Sequence, residues 1–473
     1  MTLTGQRLAV AGMGRSGVAI AQAALERGAQ ATVYDERPLD DAARIATADR
    51  LQGLGATVVA GWHGRLADEA FDLLVASPGF RREHPAIRDA LAAGREVISE
   101  VEFAGRIAQA PVVAATGTNG KSTTVVLAWL LLGAHGCDAV LCGNLSGSGY
   151  PEITLTEAAD RSGPDAVLVA EVSCYQLDWV SGFRPRVAAI TNVTEDHLDR
   201  YDGFEDYYRT KLRIFGGQGE GDVAVVNVSE PSTPLVRVLP AIPPGVAVRS
   251  FGRAGEAPDV KGQPISFRTA LDCPYLILSG RQVRMADLPF GGRHSATNAA
   301  MAWEMACAFA GEPDSAAFDA MLGALAGFRG LAHRMERLGE RGGVLVVNNS
   351  MCTNPMAVIA SSDELSRRQW LLMGGRNKDA DVAPLRDFLA ARDHRVLFFG
   401  SAVELEAPDS IATCLGLPAP RYATLEEAFA AAVTEARPGE AIVLSPGGAS
   451  TGVYANFVER GDAFREIARR WLD

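Results

Sequence analysis

The chain has 473 residues, 48% of them hydrophobic, which is room for about three domains and too apolar for a disordered chain. Its 57 acidic and 45 basic residues leave a formal net charge of −12, which argues against general nucleic-acid binding because that needs a basic face. Seven cysteines without a Cys-x-x-Cys pair suit free thiols in a reducing cytosol. The longest apolar run, Val125 to Ala134, is too short to cross a bilayer, and Arg15 interrupts the N-terminal apolar stretch, so the expectation is a cytoplasmic protein with no membrane or nucleic-acid partner.

Residues 1–99 alternate strand and helix patterns. An apolar strand from Arg7 leads into Gly12-x-Gly14-x-x-Gly17, a helix through Glu26, and a second strand ending at Asp35. Strand-end loops at Ser77-Pro78-Gly79 and Glu96 to Glu100 complete a small parallel sheet. The three glycines form the fingerprint of a Rossmann-like, dinucleotide-binding turn, and taken alone they would suggest a nicotinamide oxidoreductase. A glycine turn at a helix N-terminus accepts any pyrophosphate, however, or serves only close packing, so it specifies a shape and not a ligand.

The second unit, 100–330, carries Pro111-Val-Val-Ala-Ala-Thr116 followed by Gly117-Thr118-Asn119-Gly120-Lys121-Ser122-Thr123 and an apolar helix. Strand, small-residue loop, Gly-Lys-Ser and helix make a triphosphate site: backbone N–H groups cradle phosphate, Lys121 reaches the outer phosphates and Ser122 sits on Mg²⁺. Ala115 stands where the general pattern wants glycine. A neighbouring strand ends at Glu171, the place for a metal ligand, and the next one runs into Asn192 to Tyr201, with His197 a metal or phosphate candidate. Helical spacing of Phe204, Tyr207, Lys211 and Phe215 gives Lys211 the ordinary reading of a solvated surface lysine. Residues 229–289 read as small strands and loops hung on this unit. An alanine-rich helix then runs to about Ala310, with an N-cap expected at Thr297 or Asn298.

Residues 331–473 form a third α/β unit, with strands at 344–348, 370–373, 395–399 and 441–444. Their end loops hold Asn348 to Asn354, Gly374 to Asp379 and Ser445 to Ser450. Strand-end loops with Asn, Lys and Ser suit an anionic substrate. The fold expected is therefore α/β throughout: two Rossmann-like units flank a central P-loop ATPase-like unit with a mainly parallel sheet.

The set Thr116 to Thr123, Glu171 to Leu177, Asn192 to Tyr201, Lys211 to Ile214, His333 to Glu336 and Ser450 to Phe457, in this order over the whole chain, resembles the Mur ligase family. The resemblance implies a cytoplasmic ligase, expected here as a monomer, that uses ATP and two Mg²⁺ ions to add glutamate, with D-glutamate the first expectation, to UDP-N-acetylmuramoyl-L-alanine through an acyl phosphate. It implies that Lys121 and its loop hold the phosphates and that Ser122, Glu171, His197 and Lys211 serve the metals, Lys211 as an N-carboxylated lysine formed with CO₂. Asn298 then lies on the adenine side, and Arg334 reaches the γ-phosphate from the third unit. Gly14, Arg15, Ser16, Asp35, Arg37 and Gly79 fall where the family binds uridine diphosphate, and Asn144 at the sugar-peptide end. Thr353, Lys378, Ser450 and Phe457 fall around the incoming amino acid. Three positions depart from the family pattern: Asn349 for the usual Asp near the nucleotide ribose, Met351 for Lys, and Ser295 for Asn. They leave open a change of amino acid, such as L-glutamate, or a nucleotide-binding regulatory protein without turnover.

Overall fold

The computed structural model describes the chain apart from residues 1–2, 64–65, 67–68, 199, 254–258, 261–262, 265–268, 273, 290–292, 379 and 451. Three large sheets follow one another along the sequence, and a separate two-stranded one pairs Asp259–Val260 antiparallel with Gln263–Pro264. The first is wholly parallel, in the order Thr57–Ala60, Gln30–Asp35, Arg7–Ala11, Leu73–Ala76, Glu96–Ser99. Leu73–Ala76 is buried at every position, as expected of a strand covered on both faces. The edge strand Thr57–Ala60 went unread because four residues give too short a pattern.

The central sheet has nine strands. Its parallel core orders Ala247–Arg253, Val223–Asn227, Val187–Ile190, Val112–Thr116, Ala166–Glu171 and Asp138–Gly143. Ala270–Asp272 pairs parallel to that core, and Tyr275–Leu278 and Arg281–Arg284 continue it as an antiparallel meander. Much of 229–289 is thus an extension of the sheet and not an appendage. Ala115 belongs to the paired strand, opposite Glu171 and Ala189, which is why a buried methyl is tolerated at that point.

The apolar helix Lys121–Ala134 packs on the helix Arg293–Ala310. That second helix begins upstream of the expected Thr297 or Asn298 cap. Ala296, Ala299, Ala300 and Trp303 are buried in the shared core, and burial of this face carries the helix through two residues that would locally favour a cap. Asn298 therefore sits inside the helix, facing the phosphate loop.

The third sheet orders Glu336–Arg341, Val344–Asn348, Ala441–Gly447, Gln369–Gly374, Arg395–Phe399 and Arg421–Tyr422. All neighbours are parallel except the first pair, an antiparallel hairpin. The strand Glu336–Arg341 carries two Glu and two Arg on an exposed edge, a composition that discourages further pairing and also hides the strand from apolar patterning.

Candidate active site

The phosphate loop follows the strand Val112–Thr116 and closes on the helix beginning at Lys121. Gly117 (φ 145°) and Gly120 (φ 82°) take left-handed backbone, and a Cβ would collide with Thr191 Oγ1 at the first and Asn298 Oδ1 at the second. The loop is held from the neighbouring strand end: Thr118 N and Asn119 N donate to Asn192 O (2.8 Å) and Asn192 Oδ1 (2.9 Å). Thr191 Oγ1 donates to Asn119 O at 2.7 Å. The helix has no side-chain cap at Gly120, so its first N–H groups are not spent on one. Lys121 Nζ folds back to Thr118 O at 2.9 Å, and Ser122 and Thr123 are buried beside it.

Glu171 ends the adjacent strand and is buried. Asn144 Nδ2 approaches one of its carboxylate oxygens at 3.4 Å, and the other is buried without a hydrogen-bond partner. Lys211 overturns its surface reading. The side chain is 1% exposed, and its Nζ donates to Gly117 O at 2.6 Å and lies 4.6 Å from the centre of the Tyr207 ring. Burial, reinforced by Lys121, pushes its pKa from 10.5 down to about 7 despite the nearby Asp196 and Glu171. Tyr207 in turn shares a 3.0 Å hydroxyl contact with Thr118.

His197 has left-handed backbone (φ 55°), unusual outside glycine and typical of sites where surrounding structure over-determines a residue. Its Nδ1 lies 2.6 Å from the Tyr175 hydroxyl, leaving Nε2 as the other ligating atom, 3.6 Å from Asp196. Burial lowers its pKa, with Lys211, Lys121 and Lys378 acting in the same sense and Asp196 against them. The imidazole is thus favoured in its neutral, ligating form.

The third unit enters through Arg334, whose Nη1 reaches Thr123 Oγ1 at 3.4 Å. His333 (φ 59°) and Met335 (φ 45°), on either side, are also left-handed. Burial lowers the Arg334 pKa while Glu171 and Glu364 oppose that. Phe457 begins the last helix, and the side chains of Phe457 and Val458 sit so close to Gly147 that a Cβ there would meet them. Ser450 Oγ is buried without a partner, Thr353 is half-buried and Lys378 exposed. Asn349 turns inward: its amide donates to Ser361 Oγ (3.0 Å) and Ser445 Oγ (3.5 Å), and its oxygen accepts from Met335 N (3.2 Å). Asn298 Oδ1 lies 3.4 Å from Thr124 Oγ1.

The first-unit residues form a separate cluster. Asp35 accepts from Met13 N (2.6 Å), Arg37 N (3.0 Å) and Arg44 Nη2 (2.8 Å), so its carboxylate organises the glycine turn. Gly14, Arg15, Arg37 and Gly79 are exposed around it and Ser16 is half-buried, with Arg15 paired to Glu152 at 2.7 Å. The structure thus brings Lys121, Ser122, Glu171, His197, Lys211 and Arg334 to one sheet edge and leaves Asp35 and Arg37 on another. Sequence reading missed the roles of Tyr175 and Asn192, although both stood inside the motifs quoted for their neighbours.

Among the described residues no three His, Cys, Asp or Glu side chains form a metal cage. A magnesium nucleotide does not require one, since Mg²⁺ is commonly held by one or two protein groups with phosphate oxygens and water. The unpartnered, buried Glu171 oxygen fits such an ion. Among the same residues no helix is long and apolar enough to cross a membrane.

Residues 6–99 match the family model described as Mur ligase MurD-like, N-terminal domain; 115–306 match the Mur ligase middle domain and 333–448 the Mur ligase, glutamate ligase domain. The chain is 35% identical to the UDP-N-acetylmuramoylalanine--D-glutamate ligase of Geobacter metallireducens, over 98% of this chain and 97% of the relative. It is 36% identical to the protein of that name from Myxococcus xanthus, over 99% of each. Among solved structures, UDP-N-acetylmuramate-alanine ligase MurC of Thermotoga maritima superposes with a TM-score of 0.56 at 16% identity, covering 98% of this chain and 100% of the other.

Proposed function

Because this chain belongs to the Mur ligase family, we propose that it is an ATP-dependent ligase joining D-glutamate to UDP-N-acetylmuramoyl-L-alanine in peptidoglycan precursor synthesis. The observation that carries this reading is the convergence of Lys121, Lys211, Glu171, His197 and Arg334 on one strand-end edge. We assign the acceptor's uridine diphosphate to residues 1–99, through Gly14, Arg15, Ser16, Asp35, Arg37 and Gly79, and its sugar-peptide end to Asn144. ATP belongs to 100–330, through residues 117–123 and Asn298, with Asn349 near its ribose. Glutamate belongs to 331–473, through Thr353, Lys378, Ser450 and Phe457. The protein acts as a monomer in the cytoplasm, where its nucleotide substrates are.

In the first step the acceptor carboxylate attacks the γ-phosphorus of ATP and ADP leaves, giving an acyl phosphate. In the second the glutamate amine attacks the acyl carbon, and the tetrahedral intermediate collapses with loss of inorganic phosphate and a proton. Both steps crowd anions together, so charge neutralisation and exclusion of water dominate the barrier. Lys121 and Arg334 supply fixed cations at the phosphates. Ser122, Glu171, His197 and Lys211 would hold two Mg²⁺ ions, which supply further positive charge there.

An ammonium at Lys211 would repel those ions. With its pKa brought to about 7, the neutral amine is available to attack CO₂, forming a carbamate and releasing one proton. The product is an anion at a buried position beside Gly117. The departures at Asn349 and Met351 favour testing L-glutamate as a second reading, although the Asn349 side chain is occupied by Ser361 and Ser445.

The test is phosphate release with ATP, Mg²⁺ and UDP-N-acetylmuramoyl-L-alanine, comparing D-glutamate, L-glutamate and neither. Dependence on D-glutamate is the expected result. Dependence on L-glutamate alone moves the departures into specificity, and no release with either sinks the ligase reading.

A further inference from the structure

A buried charge cluster ties the first sheet to the loop that carries His197. Arg200, three residues beyond His197 and 7% exposed in its side chain, donates Nη1 to Pro78 O at 2.7 Å and Nη2 to Phe80 O at 2.8 Å, bracketing Gly79. Nη2 also meets Asp178 Oδ2 at 3.1 Å. The same guanidinium lies 4.0 Å from the centre of the Tyr175 ring, and the Tyr175 hydroxyl is the 2.6 Å partner of His197 Nδ1. From the far side of the Gly79 loop, Arg82 donates Nε to Asp178 Oδ1 (2.9 Å) and Nη1 to both Asp206 oxygens (3.0 and 2.8 Å). Its Nη2 donates to Thr210 Oγ1 at 2.7 Å, immediately before Lys211. The fully buried Asp178 is shared by both guanidiniums, so removing either arginine leaves it a single cation in place of two.

We propose that Arg200 and Arg82 are positioning residues that make the 78–82 loop part of the support of His197 and Lys211. Uridine diphosphate binding at that loop and magnesium-nucleotide binding at the phosphate loop consequently tighten each other. The inference rests on the two ligand sites assigned above. His197 is the strained link: its left-handed backbone is unfavourable by itself and is held by Tyr175 and by the turn in which Arg200 N donates to His197 O at 3.0 Å. A ligand that orders Gly79 fixes the Pro78 and Phe80 carbonyls, and with them Arg200, Tyr175 and the imidazole. Linkage makes the effect reciprocal.

The test is the dissociation constant of UDP for the full chain by calorimetry in excess Mg²⁺, with and without a non-hydrolysable ATP analogue. In the native protein the analogue tightens UDP by about fivefold or more, the lower end of ordinary coupling between sites. In Arg200→Gln the ratio falls to within about twofold. Arg200→Lys keeps the charge but not the two-carbonyl fork and loses the ratio as well. A role confined to stability would lower the melting temperature of these variants and leave the ratio intact. If Arg200→Gln does not fold, Arg82→Gln, at a half-buried position, decides with the same measurement. UDP bound equally with and without the analogue by the native protein overturns the proposal, as does a ratio that survives in the variants. Failure of the native protein to bind UDP instead removes the first-unit site assignment, and this proposal with it.

Discussion

The glycine turn after Arg7–Ala11 and the phosphate loop after Val112–Thr116 share one local design, a parallel strand feeding a glycine-rich turn and a helix, yet the charges set beside them differ. In the first, Gly17 is a packing residue, because a Cβ there would collide with Gly12 O, and the Asp35 carboxylate already occupies Met13 N. That carboxylate is neutralised by Arg44 at 2.8 Å, and the helix beginning at Arg15 has no side-chain cap, so its first N–H groups remain unspent without a lysine beside them. In the second, the cations Lys121 and Arg334 stand at the turn, and the buried Lys211 amine rests on Gly117 O. Charge placed beside a common backbone decides what the backbone binds.

The largest expected effect tests that charge directly. Lys121→Ala should lower kcat/KM for glutamate-dependent phosphate release by about 10³-fold, the scale of losing a principal transition-state electrostatic contact. Next, Gly120→Ala forces an L side chain into φ 82° and onto Asn298 Oδ1, and should weaken ATP binding about 100-fold by calorimetry. Gly14→Ala, at negative φ in open space, should change thermal stability by less than about 0.5 kcal/mol. Equal effects at the two glycines would break the comparison between the turns.

The pH dependence sharpens it further. Between the folded Lys211 pKa of about 7 and its ordinary 10.5 the unfolded chain holds a proton that the folded one has released. Stability contributed at this position therefore rises with pH across that window, and below about 7 the burial penalty is fully present. Lys211→Met should flatten that part of the thermal-unfolding profile. Carbamate formation needs the neutral amine, so the bicarbonate-stimulated part of the activity should fall about tenfold between roughly pH 8 and pH 6. ¹³C-labelled bicarbonate gives the same trend as a carbamate resonance. A small effect is expected from Asn349→Asp: a carboxylate keeps the Met335 N contact and can accept from the Ser445 hydroxyl but loses the donation to Ser361 Oγ, so KM for ATP should move by less than about threefold.

Those predictions depend unequally on what could be read without coordinates. The phosphate loop and the strand ending at Glu171 were legible because their chemistry is local, a handful of consecutive residues whose backbone role follows from their types. Lys211 was not: helical spacing gives its face, whereas its burial comes from Gly117, 94 residues away, and from the Tyr207 ring. Asn298 was misplaced for the converse reason, since a good local cap lost to packing along the helix Arg293–Ala310. Glu336–Arg341 has Leu338 as its one apolar side chain, too little for an alternating pattern. Arg200 could be seen inside its motif, but nothing in the motif says that it grips the carbonyls on either side of Gly79.

Arg334 sits between two left-handed residues at the joint leading into the third sheet, and its tip touches Thr123. On the assignments proposed above, the unit that would hold glutamate is thus also the one that sets a guanidinium beside the phosphate loop. Displacing that unit would then carry the guanidinium and the glutamate residues away together, so one joint would serve both halves of the proposed reaction.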